Sequence, residues 1–512
     1  MRRGPADGAR GTADHGRAAE FWTARRYWLL LAAFVVVHGM LAVALPVSGD
    51  EAYCWDCSRH PDWATYDQPP LMMLAPIPFR FLFGENNLAA RGPAILASLL
   101  LGVFLLPLAR RLGGGPREAA WAYLVLHATP LFFLGSFYFS TDVGMVPAYV
   151  AATWAAVAIA QGVRRAWWGF GIAVGLGFLA KFPAVVVLPT VLAALASRRA
   201  RSHLRTSVPY LAAALSAVIT LPVWIWGARH QWANITFQLQ QRHNPGPFTL
   251  QYLAEFLALA ALLASPPLAA AMAMAWWRRW RRRDHAWAVV LVGAVLPFVF
   301  FGYVSLRERI APHWGAPGIV LAVVALAFMT PRPRWLMRSG VVFGLAVSFF
   351  AVSVVLVVPR TLGVRWPLVG RLEGKALEAV APALGNGEIV AEIERRLRPH
   401  ELVAGESYSN VHLFAFLSRG TLPTRLARVN AGVHGLASLY WYRPEDLRGK
   451  DFLFVTERDG LRAALCDVFA SVTEEPPIPI VRDGRVVRTF YVLRCRNLLH
   501  PEGTFTRLAP AR

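Results

Sequence analysis

Charge is scarce in this sequence. Only 16% of its 512 residues are Asp, Glu, Lys or Arg, against 56% hydrophobic, whereas about 25% charged is usual for a soluble domain. That deficit excludes an ordinary soluble enzyme and implies a chain mostly embedded in a membrane. Cysteine is scarce as well, and four residues cannot build a disulfide scaffold. No internal repeat occurs, and the one low-complexity stretch is the Gly/Arg/Ala-rich start, expected to be disordered. No cluster of ligand residues obliges a metal, so no cofactor is implied. No cleavable signal peptide is evident, because the basic leader of residues 1–26 runs into an apolar stretch long enough to remain as a first span.

What the chain has in quantity is apolar runs. They recur at about 27–47, 91–109, 119–138, 143–160, 167–181, 183–197, 208–227, 252–275, 286–304, 315–330 and 338–358. Each approaches the length that crosses a hydrocarbon layer of ~30 Å, with the fifth and sixth short enough to form a tilted or re-entrant pair around Lys181. The balance of 53 basic against 31 acidic residues, +22 in all, would suggest nucleic acid on a soluble protein. Here the arginines sit in short connections such as "RRLGGGPR" at 110, "RRARSHLR" at 198 and "WWRRWRRRD" at 276. They alternate with the other connections and therefore set topology and face anionic lipid headgroups, with no nucleic acid as partner. Eleven spans with the N-terminus cytoplasmic and the C-terminus outside satisfy both the count and the charge pattern.

After residue 358 the composition turns mixed. The runs "ELVAGE" at 401, "DFLFVTE" at 451 and "RTFYVLRC" at 488 read as strands, and "EIVAEIERRLRP" reads as a helix. The expected organisation is a basic leader (1–26), a transmembrane domain (27–358) and an extracytoplasmic mixed α/β domain (359–512), long enough for its own core.

The polar residues with chemical potential fall on the connections of the outer face. The first of these carries Asp50, Glu51, Asp56, Asp62 and Asp67, the second Asp142, the third Lys181, the fourth Arg229, His230, Arg242 and His243, the fifth Arg307, Glu308, Arg309 and His313. Ionisable residues at a membrane boundary are costly unless paired, which makes them site candidates. Each has a plainer alternative: Asp50–Glu51 or Asp142 could cap the helix that follows, and Lys181 could extend to the interface. The functional alternatives are a carboxylate serving as general base and a lysine holding an anionic phosphate. Cys54-x-x-Cys57 precedes no βαβ pattern and has no second pair at zinc spacing, which favours a local disulfide or two small semi-buried residues. Many spans with charges also suit a transporter of lipid-linked sugars, but transporters carry internal repeats and midplane charge. A non-catalytic scaffold would leave the carboxylates without a purpose.

The segments "SGDEAYCWDCSRHPDWATYDQPPL", "YFSTDVGMVPAY", "GFLAKFPAVVVLP", "LPVWIWGARHQWANITFQLQQR" and "RIAPHWGAPGIV" occur in that order. In them the chain resembles the bacterial dolichyl-phosphate-mannose protein mannosyltransferase-like (family 39) glycosyltransferases of the GT-C superfamily, which include the lipid A aminoarabinose transferases. A weaker similarity continues through "AGESYSNVHLFAFL". The resemblance implies a polytopic inner-membrane enzyme that moves a sugar from a polyprenyl-phosphate donor to a hydroxyl of a glycan, lipid or protein acceptor, with inversion. It implies Asp50 as catalytic base with Glu51 beside it, Asp142 assisting, and Lys181, Arg242, Arg309 and His313 steadying the carrier phosphate, with Asp67 and Gln68 near the substrate. Two departures stand out: Cys54 and Cys57 replace aromatics, and Gln68 replaces the His or Lys common before the Pro-Pro.

Overall fold

The structure is a computed structural model that describes residues 22–242, 245–361, 381–429, 432, 434–482 and 484–507. Most of the basic leader, His243 and the start of the segment after 358 lie outside the described residues.

Among the described residues six helices are long and apolar enough to cross a membrane: Ala24–Ala44, Asn87–Arg111, Thr141–Ala160, Val208–Arg229, His285–Ser305 and Arg334–Leu356. Two bent helix pairs, Phe182–Leu195 with Arg198–Arg205 and Gln251–Leu263 with Pro266–Trp280, raise the number to eight. The sequence suggests eleven, and the three remaining apolar runs form helices shorter than this length. Pro266 opens the second helix of its pair after Ser265, whose φ is +67°, so one apolar run becomes two helices meeting at 100°. Elsewhere apolar runs fold as shorter helices, Pro116–His127, Ala166–Ala180 and Ala316–Ala327.

By its internal packing the chain forms two units. The first comprises Met1–Leu41, Ala94–Pro222 and Asn244–Ser348. Its core joins Tyr149, Val150, Ile159, Leu291, Val320 and Leu321 from three helices. Small residues let these backbones approach: a Cβ on Gly318 would stand 2.5 Å from the Ala294 carbonyl oxygen.

The second unit comprises Ala42–Pro93, Val223–His243 and Phe349–Arg512. It holds a five-stranded sheet, β1 (Leu402–Gly405), β2 (Thr424–Leu426), β3 (Phe452–Thr456), β4 (Phe469–Arg482) and β5 (Arg485–Leu498), in the order β2-β1-β3-β5-β4. β1 runs parallel to β2 and β3, and β5 runs antiparallel to β3 and β4. The central strand reads "FLFVT" without alternation because both its faces are covered. Phe452 and Phe454 pack with Phe469 and Leu498 on one side, while Leu453 and Val455 pack with Ile389, Ile393, Phe414 and Phe490 on the other. The helix Tyr408–Leu417 thus gives Phe414 to the sheet. Its Leu413, Ala415 and Phe416 join Ala52 and Trp55 of the helix Gly49–Cys57, and so the segment after 358 braces the first carboxylate-rich stretch.

Candidate active site

In the first unit the structure brings Asp142, Lys181 and His313 together. Asp142 lies in the first turn of Thr141–Ala160, where a carboxylate is favoured by the helix dipole. The N-cap is Ser140, so Asp142 is not the cap. Its Oδ1 pairs with the Lys181 ammonium, and its Oδ2 stands 3.5 Å from Nε2 of His313. Lys181 occupies the break where the helix Ala166–Ala180 ends and a 3₁₀ turn begins at Phe182. It is 3% exposed, which rules out a side chain stretched to the interface. Its ammonium also stands 4.8 Å from the centroid of Trp314, within cation–π range. His313 is half-exposed. Arg309 is not part of this group, since it pairs at 3.0 Å with Glu255 on an exposed face.

In the second unit Ser48 caps the helix Gly49–Cys57 and forms a capping box with Glu51. Glu51 is fully buried and accepts from Arg91 Nε and Nη2 at 2.7 and 2.8 Å and from the Ser48 amide at 2.9 Å. Those are the contacts of a residue that fixes the helix rather than of a proton acceptor. Asp50, one residue earlier, is exposed. It accepts a hydrogen bond of 2.7 Å from the Tyr408 hydroxyl.

Asp67 is buried, accepting from the Tyr53 hydroxyl at 2.6 Å and from the Gly435 amide at 2.9 Å. Burial, with Asp67 beside it, pushes the Tyr53 phenol well above its ordinary value. Gln68 presents a buried amide oxygen with no hydrogen-bond partner among the described residues. Arg242 donates to Gln238 at 3.0 Å, and Gln238 in turn donates to the Asp67 carbonyl at 2.7 Å.

Asp56 and His412 form a buried pair, Nδ1 to Oδ2 at 2.8 Å. A carboxylate only accepts, so Nδ1 carries the proton. Burial alone would raise the Asp56 carboxyl, but the bond from His412 and the charges of His412, Arg59 and His60 outweigh it and hold Asp56 below its usual range. Cys54 and Cys57 are free thiols and fully packed rather than semi-buried. Burial, then neighbouring acidic groups, pushes both thiols well above their ordinary values, which removes the thiolate that redox chemistry requires. Among the described residues no group of three or more His, Cys, Asp or Glu could hold a metal.

Sequence reasoning missed Arg91, Tyr408 and His412. Arg91 had a signal, an arginine inside an apolar helix. The Tyr408/His412 spacing of four residues also marks one helix face, but nothing local said which carboxylates it meets.

The known proteins that this chain resembles are glycosyltransferases. Residues 67–226, which include Asp67, Gln68, Asp142 and Lys181, match the family described as Dolichyl-phosphate-mannose-protein mannosyltransferase. The chain is 26% identical over 362 residues to the Lipid A galacturonosyltransferase RgtD of Rhizobium johnstonii, covering 67% of this chain and 74% of that protein. It is also 26% identical over 322 residues to the Undecaprenyl phosphate-alpha-4-amino-4-deoxy-L-arabinose arabinosyl transferase of Edwardsiella ictaluri, covering 58% of this chain and 57% of that one. The crystal structure of ArnT from Cupriavidus metallidurans bound to undecaprenyl phosphate superposes with a TM-score of 0.67 at 19% identity, over 92% of this chain and 98% of that chain. The apo form gives 0.62.

Proposed function

We propose that the protein transfers a sugar from a polyprenyl-phosphate donor to a hydroxyl of a glycolipid acceptor of the lipid A class, on the extracytoplasmic face, by a single inverting displacement. The observation that carries this reading is the Asp142–Lys181–His313 cluster: a buried lysine, held by a carboxylate and flanked by histidine, is suited to a phosphate. The names of the relatives support the donor and acceptor classes. In the reaction the bond from C1 of the sugar to the phosphate oxygen breaks as the bond to the acceptor oxygen forms. The acceptor proton passes to Asp50, and Lys181 and His313 offset the charge left on the phosphate. Asp142 orients Lys181, Glu51 with Arg91 fixes the helix that carries Asp50, and Arg242 adds positive charge. Of the pair Asp67–Gln68, Gln68 is the better placed to meet a substrate donor group.

The test is incubation of the purified protein with radiolabelled undecaprenyl-phosphate sugars and lipid A. Label should appear in the lipid A; its absence with every pentose and hexuronic donor tried would sink this reading.

We propose further an inner-membrane protein of eleven spans, with the N-terminus cytoplasmic and the sheet periplasmic. A variant in which Ala replaces all four cysteines should still transfer sugar, because the thiols at 54 and 57 take no part. On that background Arg110→Cys should be labelled from the cytoplasm and Val486→Cys from the periplasm. Labelling of both from one side would overturn the topology, and inactivity of the cysteine-free variant would return Cys54 and Cys57 to the chemistry.

A further inference from the structure

The helix Tyr408–Leu417 meets the helix Gly49–Cys57 at two polar points. The Tyr408 hydroxyl donates to Oδ1 of Asp50 at 2.7 Å, and His412, one turn further on, donates through Nδ1 to Oδ2 of Asp56 at 2.8 Å. The two carboxylates are six residues apart, about 9 Å along a helix, so the bonds fix both the separation and the rotation of the pair. Around the polar points the contact is close-packed. A Cβ on Gly49 would overlap the side chain of Ser409, and Phe416 sets its ring edge-on to Trp55 at 5.1 Å. Tyr53 lies against both donors, its ring 5.6 Å from Tyr408 and 5.0 Å from His412.

Glu51 and Asp56 are held inside, whereas Asp50 is exposed. An exposed carboxylate on a helix samples several rotamers. Among the described residues Tyr408 is the one hydrogen-bond partner of the Asp50 side chain, and engaging Oδ1 leaves Oδ2 in a defined direction. We infer that Tyr408 is the positioning residue of the proposed base, and that His412, bound to Asp56, holds the helix that presents it. The segment after 358 then takes part in the transfer reaction through Asp50 and is more than an appended module. This inference rests on the assignment of Asp50 as base under the proposed function.

The experiment compares wild type with Tyr408→Phe, Asp50→Asn, Asp50→Glu and the double variant Tyr408→Phe/Asp50→Glu, as full chains in detergent, by initial rates and thermal unfolding. Tyr408→Phe should lower kcat about tenfold, the effect of one hydrogen bond to a charged group. Both KM values should stay within about twofold, and the melting temperature should hold. In the double variant the Tyr408 effect should vanish, because the longer Glu side chain no longer meets the phenol as Asp50 does. A wild-type kcat in Tyr408→Phe, or losses that multiply in the double variant, would overturn the inference. Full transfer by Asp50→Asn would overturn it too, together with the assignment of the base. An inactive Asp50→Asn beside a fully active Tyr408→Phe would reject the positioning role alone.

Discussion

Asp50→Asn is expected to lower the rate of sugar transfer by about 10²–10⁴-fold, the range contributed by a positioned general base, while the protein keeps its melting temperature. The second half of that expectation follows from where the helix Gly49–Cys57 gets its stability. Its N-cap is Ser48 and its capping-box partner is Glu51, and Arg91 anchors Glu51 in the interior. Asp50 contributes to neither, and it is exposed. An asparagine there is the same size, still accepts the Tyr408 hydroxyl bond through its amide oxygen, and cannot take up a proton. Initial rates at saturating donor and acceptor decide the matter. An unchanged rate would remove Asp50 as the base, and Glu51 could not replace it, because its oxygens are committed to Arg91 and the Ser48 amide.

The contrast between Asp50 and Glu51 shows how far the sequence alone could lead. Adjacent carboxylates read alike in a one-dimensional pattern, and both were natural candidates for proton transfer. Their separation into an exposed residue and a buried one depends on Arg91, forty positions downstream, which no local rule connects to Glu51. The strands were more legible. "ELVAGE", "DFLFVTE" and "RTFYVLRC" carry the β-branched and aromatic residues that favour a pleated, packed surface, and each run contains or overlaps a strand of the sheet. The span count was less legible, because a window of apolar residues does not say whether the run folds as one long helix or, as at Pro116–His127, Ala166–Ala180 and Ala316–Ala327, as a shorter one. The Cys54-x-x-Cys57 spacing left a local disulfide and two small semi-buried residues both open, and the structure has two free thiols, both buried, on a short helix. Composition cannot tell such a pair from a reactive one; burial can.

The Lys181–Asp142 pair gives the second large effect. Lys181→Met should destabilise the protein by about 3–5 kcal/mol, the usual result of leaving one charge of a buried pair without its partner. Transfer should fall with it. Loss of activity in that variant alone is ambiguous, since a protein that has lost its packing also stops working. The double variant Lys181→Met/Asp142→Leu separates the two effects. Two apolar residues of suitable volume often restore or exceed the stability of a buried ion pair, so its melting temperature should return to near the wild-type value. Transfer should not return, because the buried cation that meets the phosphate is gone and His313, half-exposed and 3.5 Å from the former carboxylate, does not replace it alone. Residual activity of about 1% or less, the cost of removing one preorganised electrostatic contact, is the expected result in a fully folded double variant. Recovery of transfer along with stability would show that the pair serves only to close the helix break at Phe182, and the phosphate would then have to be met by other cations of the chain.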